Sequence, residues 1–474
     1  MSMESTRLYD VELSPVINLD DYDGTRRVAM PAMRDGESRG SDEESESEPL
    51  DMFDPQRIFT ETGDFRHGGE KALAWKLRVL QLMSDLFPGM RKEPFVELLG
   101  EGSFNMVIGV TLEPEEDRRD SGMVRVSRFL HLAPKTRCLA LRVPFDAGGG
   151  LTGRPVNDLQ RDVANLSVVG SRLAVPVPKV VGYDFSERNA LGRPYVLTTR
   201  LCGTALCHLW VKLNVAQQHS VVRQATQIAE KIASVCAPAA GYISLTNLYR
   251  PSSTIALDAF PIPTQEATKR PELGPTNPLP APNQTPCECL LDMCERWIAY
   301  EQRTGETLHN EQIWAAIMSL IYALDRRGWL GDNFHLVHND LFPRNMLGVI
   351  RSETEVDITG VIDWDMASFA PKVVALRAPF WGWLDSGDEQ DELSALVEVR
   401  GFGPRAVRQA FLQTASEEYV AFGTGGEGVV ARDLWKVVCG GMMRGGWREL
   451  GISVVKSWDQ MHPSDELRMY IDKF

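Results

Sequence analysis

The chain has 474 residues, 43% hydrophobic and 24% charged, the composition of a packed globular protein with room for one large or two ordinary domains. Its formal net charge of -15 marks no cationic partner, because residues 1–54 hold 15 acidic and 5 basic side chains and leave 50 acidic against 45 basic in the remainder. Eight cysteines in so long a chain, no apolar leader after Met1, no run of about 18 apolar residues and no basic stripe with interleaved aromatics exclude a disulfide scaffold, a membrane span and a nucleic-acid binder, and set the reducing cytoplasm as the expected compartment.

The stretch 34–54 is charged, serine-rich and almost free of aliphatic residues, so residues 1–55 read as a disordered acidic tail whose serines are either phosphorylation sites or plain solvating groups. Over 69–87, Leu73, Leu77, Leu80 and Met83, widened by Trp75, Leu82 and Leu86, predict a helix stopped by Pro88 and Gly89. Stretches 95–99, 106–112 and 138–143 are rich in β-formers and predict short strands. A helix over 157–173, with Val163, Leu166, Val169 and Leu173 on one side, gives way to Pro176 and Pro178. Strands at 179–183 and 195–199 follow, and then a long helix over 214–236.

Recurrent prolines forbid continuous helix or central strand between Tyr249 and Pro286, so about 250–286 reads as a proline-rich insertion. Beyond it, 289–300 and 311–327 are helical, with Asn310 placed as an N-cap. Cys287, Cys289 and Cys294 lack the partners that would complete a tetrahedral metal set and read as buried thiols. The last third is helical again, broken at glycine pairs that begin at 425, 440 and 445. A small sheet before a helical mass is the order of an α+β, two-lobed kinase, with a small antiparallel β N-lobe over 56–203 and a larger, mainly helical C-lobe over 204–474.

The strongest chemical signal is Leu336-Val-His338-Asn-Asp340-Leu-Phe-Pro-Arg-Asn345, followed by Val361-Ile-Asp363-Trp-Asp365. His-x-Asp, an asparagine five residues on and a strand ending in aspartate is a phosphoryl-transfer pattern. In such chemistry one carboxylate orients the attacking hydroxyl and takes its proton, while an amide and a second carboxylate hold magnesium by oxygen. Asp340, Asn345 and Asp363 fill these roles in that order, the residues between 347 and 361 reading as a hairpin that returns Asp363 to Asn345. His338 reads as a brace of the loop.

Upstream, Gly100-Glu-Gly102-Ser103-Phe104-Asn105 joins two predicted strands, and glycines there let backbone N–H groups close over phosphates. A Gly-x-Gly turn alone is also an ordinary hairpin; its place ahead of the Asp340 loop gives it weight. Arg142 occupies the strand position of the lysine that grips phosphates, and Asp162, on the next helix, the position of that lysine's acidic partner. The two are either a compensated pair or a plain surface ion pair. Thr198 and Arg200, at the end of the 195–199 strand, stand where a two-lobed kinase has the hinge that meets adenine.

Taken together, GSFN in the loop, LRVP in the third strand, VPVPKVVGYD after the helix, GTAL after the hinge, HNDLFPRN and IDWD resemble the aminoglycoside phosphotransferase family, especially its eukaryotic members of unassigned substrate. The likeness runs over about 70–385. It implies Asp340 as catalytic base, Asn345 and Asp363 as metal ligands, Arg142 with Asp162 as nucleotide grip, ATP and Mg2+ as cofactors, and a small-molecule hydroxyl as acceptor. Protein kinases share the fold, but their catalytic-loop lysine is Phe342 here, and in place of Ala-Pro-Glu the chain has Ala378-Pro379-Phe380. Arginine for lysine and aspartate for glutamate keep a second reading open, a catalytically inactive nucleotide-binding regulator, and a pure interaction module is a third. Trp381, Trp383 and Asp385 are either acceptor contacts or core.

Overall fold

In a computed structural model of the chain, the described residues are 7–8, 72–88, 90, 92–101, 105–113, 137–144, 154–249, 254–263, 279–305, 310–384, 392, 399–442, 446–465 and 467. The acidic tail apart from 7–8, Gly102, Ser103, Phe104, residues 264–278 of the proline-rich stretch and Asp385 lie outside them. The chain divides into two compact units, Met1–Leu159 with Val180–Arg200 and Gln160–Lys179 with Leu201–Phe474. The division cuts the helix Arg154–Arg172 and leaves the first unit for the last time at Arg200.

The first unit is built on a six-stranded antiparallel sheet, in the order Arg7–Leu8, Val180–Asp184, Tyr195–Thr199, Arg137–Pro144, Asn105–Leu112, Phe95–Glu101. Alternation along the strands sends Ile108, Val110, Leu139, Leu141, Val143 and Leu197 to one face, where the helix Ala72–Leu86 covers them with Trp75, Val79, Leu82 and Met83. The helix is turned relative to the sequence expectation: Leu77 is 58% exposed and Leu80 only partly buried. The neighbours of Leu77 at the following turns are Gln81 and Ser84, both exposed, so that face has no apolar continuation. The large indole of Trp75 sets the buried side instead.

The second unit carries the helices and two small antiparallel sheets. One sheet orders Leu257–Asp258, Gly241–Ile243, Ser368–Pro371, Phe334–Val337 and Cys236–Ala237; the other orders Val356–Val361, Met346–Ile350 and Thr204–Ala205. Helix starts follow local chemistry. Asn214 and Gln217 form a capping box ahead of Val215–Ala233, and Thr285 and Glu288 form another ahead of Pro286–Thr304. Asn310 stands at the predicted N-cap position of Glu311–Arg326 but does not cap it, since its backbone is already helical. Its buried amide instead donates to Glu301 (3.3 Å) and accepts from Arg448 (3.2 Å).

Four more helices, Phe402–Thr414, Glu417–Thr424, Gly426–Gly440 and Trp447–Met461, fill the last third, with Gly425 and Gly441 at their breaks. Cys287, Cys289 and Cys294 lie buried on Pro286–Thr304. Burial, helped by neighbouring carboxylates, pushes the Cys287 thiol up to about 11 and that of Cys289 to about 12, the state of packing residues rather than thiolate ligands. No helix among the described residues is long and apolar enough to cross a membrane.

Candidate active site

The loop after Phe334–Val337 is shaped by its own backbone. Phe342 N–H donates to the Asp340 carbonyl and Asn345 N–H to the Phe342 carbonyl, both at 2.9 Å, and a short turn at Pro343–Asn345 delivers the chain into Met346–Ile350. That strand and Val356–Val361 form the predicted hairpin, and the returning chain closes on the loop through Ile362 N–H to the Asn345 carbonyl at 2.9 Å. Asp363 is therefore the residue immediately after a direct bond to Asn345, and it is exposed.

The side chains converge on Asp340. Asn345 Nδ2 donates to Asp340 Oδ2 at 2.6 Å and to its carbonyl at 2.9 Å. Arg344 donates from Nε to Oδ2 at 3.3 Å and from Nη2 to Oδ1. With Nδ2 so engaged, Asn345 Oδ1 is the atom of that buried amide left to face a cation.

His338 is 2% exposed and stacked 4.4 Å from Trp364. Its Nε2 meets the Ile362 carbonyl at 3.0 Å and its Nδ1 accepts from Asp340 N–H at 3.3 Å, which assigns a neutral ring with the proton on Nε2. Burial pushes its pKa down to about 4, against the pull of the Ile362 carbonyl and the carboxylates of Asp340 and Asp365. It clips the Asp340 loop to Ile362, the residue before Asp363.

Asn339 (φ 62) and Asp363 (φ 67) are left-handed non-glycine residues, and both belong to this loop pair. Such backbone costs about 1–3 kcal/mol per residue and clusters at functional sites. Asn339 is held in it by donating to the Met366 carbonyl and to Ser368 Oγ, each at 2.8 Å. From the helix Arg154–Arg172, the buried Asn165 donates to the carbonyls of Trp364 (2.7 Å) and Asp365 (3.3 Å), fixing the segment after Asp363. Neither Arg344 nor Asn165 was singled out in the sequence; an arginine four residues after the aspartate was the available sign for the first, and nothing local marks the second.

In the first unit, Gly100 sits at a register shift opposite Val107, where the strand enters the glycine turn. Val107 faces Arg142, Arg142 faces Val196 and Ala140 faces Thr198. Since Leu139, Leu141 and Val143 point into the helix-backed core, Asn105, Arg142 and Thr198 share the opposite face. Arg142 donates to Asn105 Oδ1 through Nη2 (2.9 Å) and Nε (3.1 Å), the amide orientation that satisfies both groups. Thr198 Oγ1 donates to the Ala140 carbonyl at 3.4 Å. Arg200 is bound to Glu97 at 2.6 Å, both side chains mostly buried, so it braces two strands of this sheet. Asp162, 4% exposed, belongs to the second unit, three residues before Asn165 on the same helix side.

The profile of the phosphotransferase enzyme family, APH, matches residues 124–408, more than half of the chain. The chain belongs to this family. The matched stretch contains Arg142, Asp162, Thr198, Arg200, Asp340, Asn345 and Asp363, and begins after the glycine turn. Curated proteins return no match. Among solved structures, the chain is similar to the ADP-bound aminoglycoside phosphotransferase APH(2'')-Ib, at 12% identity over 81% of this chain and 96% of that one, with a TM-score of 0.40. It is also similar to a thermostable mutant of aminoglycoside phosphotransferase APH(4)-Ia in a ternary complex with AMP-PNP and hygromycin B, at 15% identity over 80% and 98%, with a TM-score of 0.38.

Next to the Asp340 loop of this phosphotransferase-family protein lies a cavity of about 550 Å³ in the second unit. Trp381 lines it, whereas Trp383 is buried in the core between Phe380 and Phe411. Phe342, at the lysine position of protein kinases, is 3% exposed and lies under two guanidinium groups, Arg344 at 4.6 Å and Arg377 at 4.9 Å.

Proposed function

We propose that the protein transfers the γ-phosphate of ATP to a hydroxyl group of a small molecule, with Asp340 as catalytic base. The observation that carries the reading is the Asp340 carboxylate, held in one orientation by Asn345 and Arg344 at the head of a loop bonded back to Ile362, the residue before Asp363. In the proposed step the acceptor oxygen attacks the γ-phosphorus, its proton passes to Asp340, the new P–O bond forms as the bond to the leaving ADP oxygen breaks, and ADP departs. Asn345 and Arg344 engage both Asp340 oxygens, yet the side chain is 27% exposed and Oδ1 takes a single donor, so a lone pair is left for an entering hydroxyl.

The donor set we assign to a divalent ion is the amide oxygen of Asn345 with the carboxylate of Asp363, which follows the residue bonded to the Asn345 carbonyl. Two hard oxygens of this kind fit magnesium, which keeps part of its shell for water and phosphate. When bound, the ion supplies charge neutralisation at the phosphates. Gly100, Gly102, Ser103, Phe104, Asn105, Arg142 and Thr198 would hold the nucleotide, with Arg200 acting through Glu97 to keep the sheet in shape and Asp162 as the acidic member of the grip. The working compartment we assign is the cytoplasm, where ATP and magnesium are supplied and eight reduced thiols persist.

The bidentate bond between Arg142 and Asn105 favours a second reading, in which the protein binds nucleotide as a regulator and transfers nothing. Release of ADP from MgATP by the full-length protein, measured with a fractionated small-molecule extract as acceptor source, separates the two. Turnover that vanishes in Asp340→Asn supports transfer; a nucleotide-dependent thermal shift with no turnover in any fraction supports the regulator.

A further inference from the structure

The second-unit cavity starts at the catalytic loop, since His338, Asn339, Leu341 and Phe342, the residues on either side of Asp340, are part of its wall. Its volume falls in the range of about 300–1,000 Å³ found for small-molecule sites. Away from the loop the wall is aromatic. Tyr242, Phe260 and Trp435 pack edge to face in a row, with centroids 4.9 and 5.4 Å apart, and Trp381 and Trp447 extend the apolar surface.

Charge in the wall leans to one sign. Among the described residues it holds Arg377, Arg432 and Lys436 with one carboxylate, Glu392, and Lys436 is answered by Asp433, which is not part of the wall, at 2.8 Å. Glu392 is already engaged on both oxygens, by Arg377 Nε on Oε1 and by Arg432 Nε on Oε2, each at 2.6 Å, and is 3% exposed. Burial pushes its carboxyl pKa up, but the two guanidinium groups outweigh this and hold it down, so it stays an anion whose charge is answered inside the wall. Arg432 is further fixed by donating to the carbonyls of Phe422 (2.6 Å) and Val373 (3.3 Å).

Aromatic faces could in principle receive a ligand cation in place of a carboxylate. Here guanidinium groups already lie over two of them, Arg161 over Tyr242 at 4.8 Å and the arginine pair over Phe342. An ammonium group entering this wall would lose its water and meet two guanidinium groups that share one carboxylate, while Glu392 and Asp433 are already bound to cations.

We propose, on the phosphotransferase reading above, that this cavity is the acceptor site and selects a hydroxyl compound with an apolar, ring-sized body, uncharged or anionic, against polycationic amines. The aromatic row takes the body, the Arg377 and Arg432 pair, two cations on one carboxylate, tolerates a carboxylate or phosphate on it, and the hydroxyl reaches the loop end beside Asp340. The acceptor class implied by the wall thus lacks the positive charge of an aminoglycoside.

The test uses the full-length protein with MgATP and three probes: naphthaleneethanol as the neutral alcohol, hydroxyethylbenzoate as the anionic one and the polycation kanamycin. Calorimetric affinity and ADP release are both read. The neutral and anionic probes are expected to bind at least ~10-fold more tightly than kanamycin. Trp435→Ala and Phe260→Ala are each expected to weaken probe binding about 10-fold with the nucleotide-dependent thermal shift retained; Phe260 is only partly buried, which keeps the test open if the Trp435 variant does not fold. Kanamycin binding as tightly as the other two, both other probes failing to bind below ~1 mM, or Phe260→Ala leaving their affinities unchanged would overturn the assignment. Probe binding in the expected order upholds the cavity's ligand class with or without ADP release, and the transfer reading falls only if no extract fraction gives turnover. Kanamycin-dependent ADP release upholds transfer and overturns the ligand class.

Discussion

Asp340 is oriented by two side chains of unequal standing. Asn345 is buried and comes from the signature itself, whereas Arg344 is exposed and approaches from one turn later, so its removal should disturb the carboxylate's direction more than the fold. Arg344→Ala is expected to lower kcat about 10-fold with nucleotide affinity retained, as read by steady-state ADP release beside a nucleotide titration. His338 yields a prediction with a sign. Its folded pKa of about 4 lies below the ordinary histidine value of about 6.5, so the unfolded chain binds the proton first and protonation opposes folding. The stability tied to the neutral ring is complete above pH ~6.5 and is lost as pH falls toward 4, by roughly 3 kcal/mol. Urea unfolding at pH 7 and at pH 4.5 should show the wild type losing more stability than His338→Gln, which keeps a donor for the Ile362 carbonyl.

At the scale of elements, the sequence was most readable where chemistry is local. The hairpin after Asn345 and the strand leading to Asp363 were read from neighbours in sequence, whereas the capping boxes at Asn214 and Thr285, just as local, went unread. What could not be read is what depends on distant partners. Asn310 looked like a cap until Glu301 and Arg448 claimed its amide. The helix Ala72–Leu86 presented two competing apolar stripes, and only the sheet beneath chose between them. Met83→Ala is therefore expected to cost 2–5 kcal/mol in denaturant unfolding, and Leu77→Lys to stay within about 0.5 kcal/mol of the parent. Gly203 joins the Thr204–Ala205 strand to the end of the first unit with φ +115, where an added Cβ would stand 2.9 Å from the Gly348 carbonyl oxygen and 2.6 Å from Thr359 Oγ1. Gly203→Ala should destabilise the protein by at least ~2 kcal/mol through a strained backbone and a collision that no side-chain rotation relieves.

Across the whole molecule, the division of labour follows the order of the chain, with an antiparallel sheet carrying the nucleotide candidates and a helical unit carrying the loop chemistry. The signature residues were legible because phosphoryl transfer demands particular oxygen donors at fixed spacing. Of the cavity only Trp381 was singled out as an acceptor contact, since Tyr242, Phe260, Glu392 and Trp435 come from separate segments and share no pattern. Catalysis by Asp340 is the claim on which the account stands, and transfer of radiolabelled γ-phosphate from ATP to hydroxyl compounds of a cell extract tests it most directly. The account predicts a labelled product from the parent protein and a loss of at least ~10³-fold in Asp340→Asn, with the nucleotide-dependent thermal shift unchanged in both. Equal labelling by the two proteins, or none from a parent that binds nucleotide, would contradict it.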